Sequence, residues 1–305
     1  MIAFLLKRFG WMLVTLWIVF TVTFFLMRSV PGGPLAADRV LEPEMERNLA
    51  KRYNLDQPLW KQYLQILGDT ARLDLGHSFK MLDFTVNEVI ADGFPVSASL
   101  GVLAMAFALS LGLTAGIVSA VWRGSVADFG LMTVATVGIA LPNFVVAGVA
   151  IIVFVFIWPL FPPAGWGRLS NVVLPAFCLG APYAAYIARL TRTGMLDVLG
   201  QDYIRTAYAK GLATRTVILR HALKGALLPV ASFMGPAIAG ILTGSLVIEK
   251  IFAIPGLGLS FINAATQRDY TLAMGIVLLY TALIYVMNTL VDISYAYFDP
   301  RVKLE

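Results

Sequence analysis

FGWMLVTLWIVFTVTFFLM, Phe9 to Met27, carries no charged side chain and is bracketed by Lys7 and Arg8 before it and Arg28 after it. About 20 apolar residues in a helix cross about 30 Å of hydrocarbon, so the stretch reads as a membrane span. The competing reading is a cleaved signal peptide, with Ala36-Ala37 near its end. A signal peptide's apolar core runs only about 7–15 residues, and this run is longer. The segment is therefore an uncleaved helix, and lipid is the solvent in which the remaining sequence has to be read.

Composition agrees. Of 305 residues, 59% are hydrophobic and 13% charged, and the mean hydropathy is +0.79. Soluble domains carry roughly 25% charged residues. A net charge of +5 does not argue for nucleic acid, because the positive residues sit in particular loops and read as a topology signal. Cys178 is the sole cysteine and lies in an apolar run, so no intrachain disulfide is possible. His77 and His221 are far apart, with no Cys or carboxylate at ligand spacing, so no metal site is expected.

Five further apolar runs follow: Val96–Trp122, Phe129–Trp158, Val172–Ile187, Leu227–Ile248 and Thr271–Phe298. Pro142 predicts a kink in the second of these. Pro175 and Pro182 interrupt the third, the shortest. Six spans place both termini on one side. That side holds Lys7, Arg8, Arg123, seven Lys and Arg between Arg189 and Lys224, Arg301 and Lys303. The positive-inside rule makes it the cytoplasm. The expected organisation is an N-terminal transmembrane helix over 1–30, an extracytoplasmic loop with short helices over 31–95, and a five-helix core over 96–298. The core contains a cytoplasmic loop at 189–228, and a cytoplasmic tail follows at 299–305.

The loop 31–95 holds apolar residues at helical spacing. Pro43 can open a helix with Met45, Leu49 and Tyr53 on one stripe. Asp56 can cap a second, with Pro58 in its first turn, Trp60, Tyr63, Leu64 and Leu67 on its face, and Gly68 at its end. Either a self-packed hairpin or a docking surface answers to this pattern.

No catalytic constellation is present. The sequence has no G-x-x-x-x-G-K-[ST], no H-E-x-x-H and no G-x-S-x-G. The spans hold few ionisable groups, which disfavours coupling to an ion gradient. Asn143, Asn288 and Asp292 are polar positions read either as helix–helix hydrogen-bonding groups or as pathway lining.

The basic segment YIRTAYAKGLATRTVILRHALKGALLPV, Tyr203 to Val230, reads as two short amphipathic helices meeting at Gly211. Asp202 is placed to cap the first, which carries Ile204, Ala207 and Tyr208 on one side. Thr214 or Thr216 can start the second, with Ile218, Leu219, Ala222, Leu223 and Ala226 as its apolar face. From composition alone, this segment is either a hinged helical pair at the cytoplasmic membrane surface or a solvated basic face drawn to anionic lipid.

RTAYAKG, Arg205–Gly211, with a following stretch that ends in ALLP, resembles the EAA-type cytoplasmic loop of bacterial ABC-importer permeases. Arg205, Thr206 and Ala207 stand at the EAA positions and Gly211 at the fixed glycine. Arginine in the first place departs from the general pattern and resembles the peptide/nickel (binding-protein-dependent) subfamily, as does RHALKGALLPV at Arg220–Val230. Further similar blocks are Phe24–Pro34, Tyr53–Tyr63, Gly235–Gly258, Arg268–Leu279 and Asp299–Arg301, and Phe79–Gly101 resembles the oligopeptide branch.

The resemblance implies an all-α polytopic membrane protein of type I ABC-importer permease fold, in the bacterial inner membrane. It implies a non-catalytic subunit without cofactors of its own, ATP and Mg being bound by partner ATPase subunits. The implied partners are a second permease forming a heterodimer, two ATP-binding subunits and an extracytoplasmic peptide-binding protein. Asp202, Tyr203, Arg205, Thr206, Ala207, Lys210, Gly211 and Arg215 would then couple to an ATPase. Glu249, Pro255 and Gly256 would lie on the extracytoplasmic side, as a contact for the binding protein or as a plain connecting turn. Oligopeptide is the implied substrate. Dipeptide, nickel chelate, glutathione and heme are the family's alternatives, and a gradient-driven carrier is the rival from outside it.

Overall fold

The computed structural model describes residues 2–30, 54, 56–81 and 83–298. The loop helix expected around Met45, Leu49 and Tyr53 and the tail 299–305 lie outside them. Among the described residues the structure is helical, with one isolated bridge between His77 and Thr85. The helices are α1 (Ile2–Arg28), α2 (Leu59–Ala71), α3 (Val86–Val121), α4 (Val126–Ala140), α5 (Asn143–Ile151), α6 (Leu169–Leu199), α7 (Asp202–Ala209), α8 (Thr214–Ala226), α9 (Leu228–Ile251), α10 (Leu257–Gln267) and α11 (Tyr270–Phe298). A π-helical segment, Ile152–Ile157, prolongs α5. Four helices are long and apolar enough to cross a membrane, and six spans result if each of two bent pairs counts once.

The chain forms two compact units, Met1–Ser97 with Ile254–Tyr285, and Ala98–Ala253 with Val286–Glu305. In the first, α2 lies along α1. Tyr63 stacks its edge on Phe20 and Phe24 with centroids 5.5 and 5.3 Å apart, and its hydroxyl pairs with Thr21 at 2.8 Å. Arg28 donates to Gln62 Oε1 at 2.8 Å and lies 3.8 Å over the Phe24 ring. The expected stripe is thus divided: Tyr63 and Leu67 pack inward, whereas Trp60 and Leu64 are exposed. Pro58 holds the N-cap position with no side-chain cap, and the helix runs through Gly68 to Ala71.

The segment after α2 is pinned by buried Asp269. Its carboxylate accepts from the Ser78 hydroxyl, from Phe79 N–H at 3.1 Å and from Leu272 N–H at 3.2 Å in the first turn of α11. Helix α3 opens ten residues before the apolar run at Val96. Thr85 and Glu88 form a capping box, Thr85 N–H to Glu88 Oε2 at 2.8 Å and Glu88 N–H to Thr85 Oγ1 at 3.2 Å. Pro95 is accommodated within the helix. The N-terminus of α10 is docked on α3: Leu257 N–H donates to Ser97 Oγ at 2.9 Å, and a Cβ at Gly93 would stand 3.2 Å from Leu257 N.

In the second unit, α4 and α5 meet at 111°, a far sharper break than a tilted span needs. Leu141 is extended (φ −85, ψ 130), as the residue before a proline is driven to be. Pro142 then becomes the N-cap of α5. Both arms pack on α6. Helix α6 runs through Pro175 and Pro182 to Leu199, twelve residues beyond the expected end at Ile187, so Arg189 and Arg192 belong to a long helix rather than a loop. It meets α3 at a seam with no room for side chains. A Cβ at Gly112 would stand 2.7 Å from the Ala184 carbonyl oxygen, one at Gly116 2.6 Å from that of Ala188, and one at Gly180 2.5 Å from that of Ala104.

Candidate functional site

The site is built on the C-terminal end of α6. Met195 of α6, Ile204 and Ala207 of α7, Val217, Ala222 and Ala226 of α8, and Ala120 of α3 form one buried apolar cluster. The spacing Ile204–Ala207 puts both on one face of α7, and this face seats the helix. The fit is close: a Cβ at Gly194 would stand 2.4 Å from the Ala226 carbonyl oxygen, and one at Gly225 3.3 Å from the Val198 side chain.

The opposite face of α7 is exposed. Asp202, Tyr203, Arg205, Thr206 and Lys210 lie on it, followed by Gly211 and Arg215. Ala207 is the exception among the expected coupling residues: at 6% exposure it belongs to the inner face. Asp202 is the first helical residue and Gln201 the cap, so the carboxylate favours the positive end of the helix without capping it. Its pair with Arg205, 3.6 Å, is a loose surface contact. Tyr208, expected on the side of Ile204 and Ala207, is instead 42% exposed, and with Leu212, 38% exposed, it adds apolar surface to the same region.

Gly211 ends α7 in the left-handed conformation, φ +76. Its N–H reaches Tyr208 O at 2.9 Å and Leu212 N–H reaches Ala207 O at 3.3 Å, the paired bonds of a Schellman turn. No atom lies within 4 Å of a Cβ built there. The glycine is thus required by backbone angle and presents an open notch. Helix α8 then begins at Thr214, with Ala213 rather than a threonine as its cap. The α7–α8 segment thus combines an exposed face, a seated inner face and a sharp glycine turn between two helices.

Two comparisons with known proteins decide the family. The model of the binding-protein-dependent transport system inner membrane component matches residues 112–304, and its N-terminal companion matches residues 1–101. The chain belongs to this family. The oligopeptide transport system permease proteins OppB of Escherichia coli K12 and Haemophilus influenzae are each 44% identical over 305 residues, 99% of this chain and all of theirs. The dipeptide transport system permease protein DppB of Bacillus subtilis is 43% identical over 304 residues, all of this chain and 99% of its own. In structure, the inward-facing MetNI methionine ABC transporter matches with a TM-score of 0.57 at 15% identity, over 69% of this chain and 96% of that one. An amino acid ABC transporter matches with a TM-score of 0.54 at 14% identity, over 69% and 94%. These likenesses are of fold. This transport component is therefore an all-α membrane protein of the ABC-importer fold.

The remaining expected site residues are dispersed. Asn143 opens α5 at the 111° break, whereas Asn288 and Asp292 stand one turn apart late in α11. Glu249 is fully buried in the last turn of α9. Gly256 is buried ahead of α10 and only Pro255 is exposed. The segment is not a free loop tip, because Leu257 is fixed on Ser97. A polar group that the charge reading counted only as an orienting cation, Arg192, is instead engaged with Asp128, Nε to Oδ1 at 2.8 Å and Nη2 to Oδ2 at 2.9 Å.

Proposed function

We propose that the chain is the permease subunit of an ATP-driven importer that carries oligopeptides across the bacterial inner membrane. Full-length identity with OppB from several organisms carries this reading. The rest of the machine would be a second permease in a heterodimer, two ATPase subunits that bind ATP and Mg, and an extracytoplasmic peptide-binding protein. The subunit itself would be non-catalytic, with both termini in the cytoplasm.

Coupling is assigned to the exposed face of α7 and to Gly211. Tyr203, Arg205, Lys210 and Arg215 would enter a cleft of an ATPase subunit, with Asp202 and Thr206 beside them and Ala207 holding the helix from within. Because α7 is seated on α6 and α8 through a close-packed cluster, a push on it moves the platform as a rigid body rather than bending it. The bundle would then exchange between inward- and outward-facing states.

Reconstitution of the chain with its second permease and ATPases in liposomes tests this. Peptide delivered by the binding protein should stimulate ATP hydrolysis and be taken up. Uptake by this chain without ATPase subunits would overturn the reading in favour of a gradient-driven carrier. A dipeptide importer is supported by the 43% identity to DppB. Competition of labelled tetrapeptide uptake by unlabelled dipeptide separates the two, since a dipeptide system is inhibited by the dipeptide at the lower concentration.

A further inference from the structure

The exposed face of α7 and its C-cap account for two of the seven cations between Arg189 and Lys224, Arg205 and Lys210. Arg192 stands apart from them in geometry. Its guanidinium forks onto both oxygens of Asp128, a buried carboxylate in the first turn of α4. The Ser119 hydroxyl of α3 donates to Oδ1, and Gly124 N–H in the turn between α3 and α4 donates to Oδ2 at 2.9 Å. Ser125 Oγ in turn accepts from Asp128 N–H at 3.2 Å. One carboxylate thus takes hydrogen bonds from α3, from the α3–α4 turn and from α6.

The position along α6 gives the arrangement its consequence. Thr191, the preceding residue, fills the space over Gly116 on α3. Met195, three residues on, is in the cluster under α7. Arg192 therefore lies where the α3–α6 seam meets the platform of the coupling helix. Apolar helix faces shear past one another by 1–2 Å in many transitions. A planar bidentate fork fixes both distance and rotation, so it is either closed or broken.

We propose that Asp128 and Arg192 are positioning residues that transmit the movement of α7, through α6, to α4 and the bent arm α4–α5. The inference rests on the coupling role of α7 given above. With the fork closed, α4 follows α6. With it open, α6 moves while α4 slips, and ATP is hydrolysed without import.

The complete transporter in liposomes tests this, with peptide-stimulated ATP hydrolysis and peptide uptake measured on the same preparation. Asp128→Asn keeps the shape and one acceptor oxygen for the Gly124 N–H, while its amide NH2 removes the charge and one prong of the fork. Arg192→Lys keeps the charge and removes the fork. Both should hydrolyse ATP in response to peptide while uptake per ATP falls about tenfold, within the range by which coupling networks act. The exchange Asp128→Arg with Arg192→Asp should recover part of that ratio. An unchanged ratio in both single variants overturns the proposal. So does a parallel loss of hydrolysis and uptake that follows the amount of assembled complex, which would make the pair structural only. If the unsubstituted transporter fails to couple peptide uptake to ATP, the function reading falls instead, and that failure is visible before any substitution is made.

Discussion

Gly211 separates two physical causes that a single substitution confounds. A non-glycine residue in the left-handed region costs roughly 1–2 kcal/mol, and at φ +76 alanine meets that penalty with no steric clash to add to it. Asparagine tolerates the same region far better. Gly211→Ala should therefore lower the melting temperature of the detergent-purified subunit by a few degrees, and Gly211→Asn by less. If α7 fills a cleft, both should nonetheless strongly reduce uptake in the assembled transporter, because each places atoms in the open notch. Uptake that tracks only the thermal shift would mean that no partner surface closes over Gly211. Gly211→Asp carries this further: the subunit still inserts, and co-purification with the ATPases should be lost. The glycine turn was legible from the sequence, as was the inner position of Ile204. The side shared by Ile204 and Ala207 was legible as well, whereas Tyr208, expected on that side, is 42% exposed, because it lies about 100° round the helix from Ala207 and falls at the margin of a narrow inner stripe.

Between the helices, the decisive signals are small residues, and these escaped a reading tuned to charge and apolar length. G-L-T-A-G at Gly112–Gly116 has the four-residue spacing that lets membrane helices approach closely. The structure spends it on Ala184, Ala188 and Thr191 of α6. Gly116→Ala would put a methyl 2.5 Å from Thr191 Cβ and 2.6 Å from the Ala188 carbonyl, so a backbone has to shift. Overpacking of this kind costs about 1–3 kcal/mol. The expected result is a lower thermal midpoint in detergent and reduced yield of assembled complex. An unchanged midpoint would contradict the closeness of the seam. Gly130, with nothing within 4 Å, is the control, and its alanine variant should be neutral or slightly stabilising. The capping box Thr85–Glu88 was likewise visible as T-V-N-E. It was missed because Asn87, Glu88 and Asp92 interrupt the first turns of α3, and an apolar window finds only the uninterrupted part of a helix. Pro142 was read correctly as a bend, but nothing in one residue states an angle of 111°.

For the molecule as a whole, the number of spans follows from hydropathy, while sidedness follows from charge, and the two can be tested apart. The single cysteine is fully buried on α6, so a membrane-impermeant maleimide should leave the unsubstituted chain unlabelled. That makes it a silent background for cysteines placed one at a time. Leu212, after the glycine turn, and Trp60, on the outer face of α2, are both exposed and lie in segments to which the charge pattern assigns opposite sides of the membrane. Leu212→Cys should label in inverted vesicles and not in intact spheroplasts, and Trp60→Cys should do the reverse. Addition of the ATPase subunits to inverted vesicles should then protect Leu212→Cys, because the partner cleft would cover the notch beside Gly211, and leave Trp60→Cys unaffected. Labelling of both cysteines from one side would break the six-span count, most directly at the 111° turn, where a re-entrant pair in place of a crossing reverses the side of everything after it. Labelling from the expected sides without protection would preserve the topology and remove α7 as the ATPase seat. The three outcomes assign the charge, the bend and the coupling helix to separate observations.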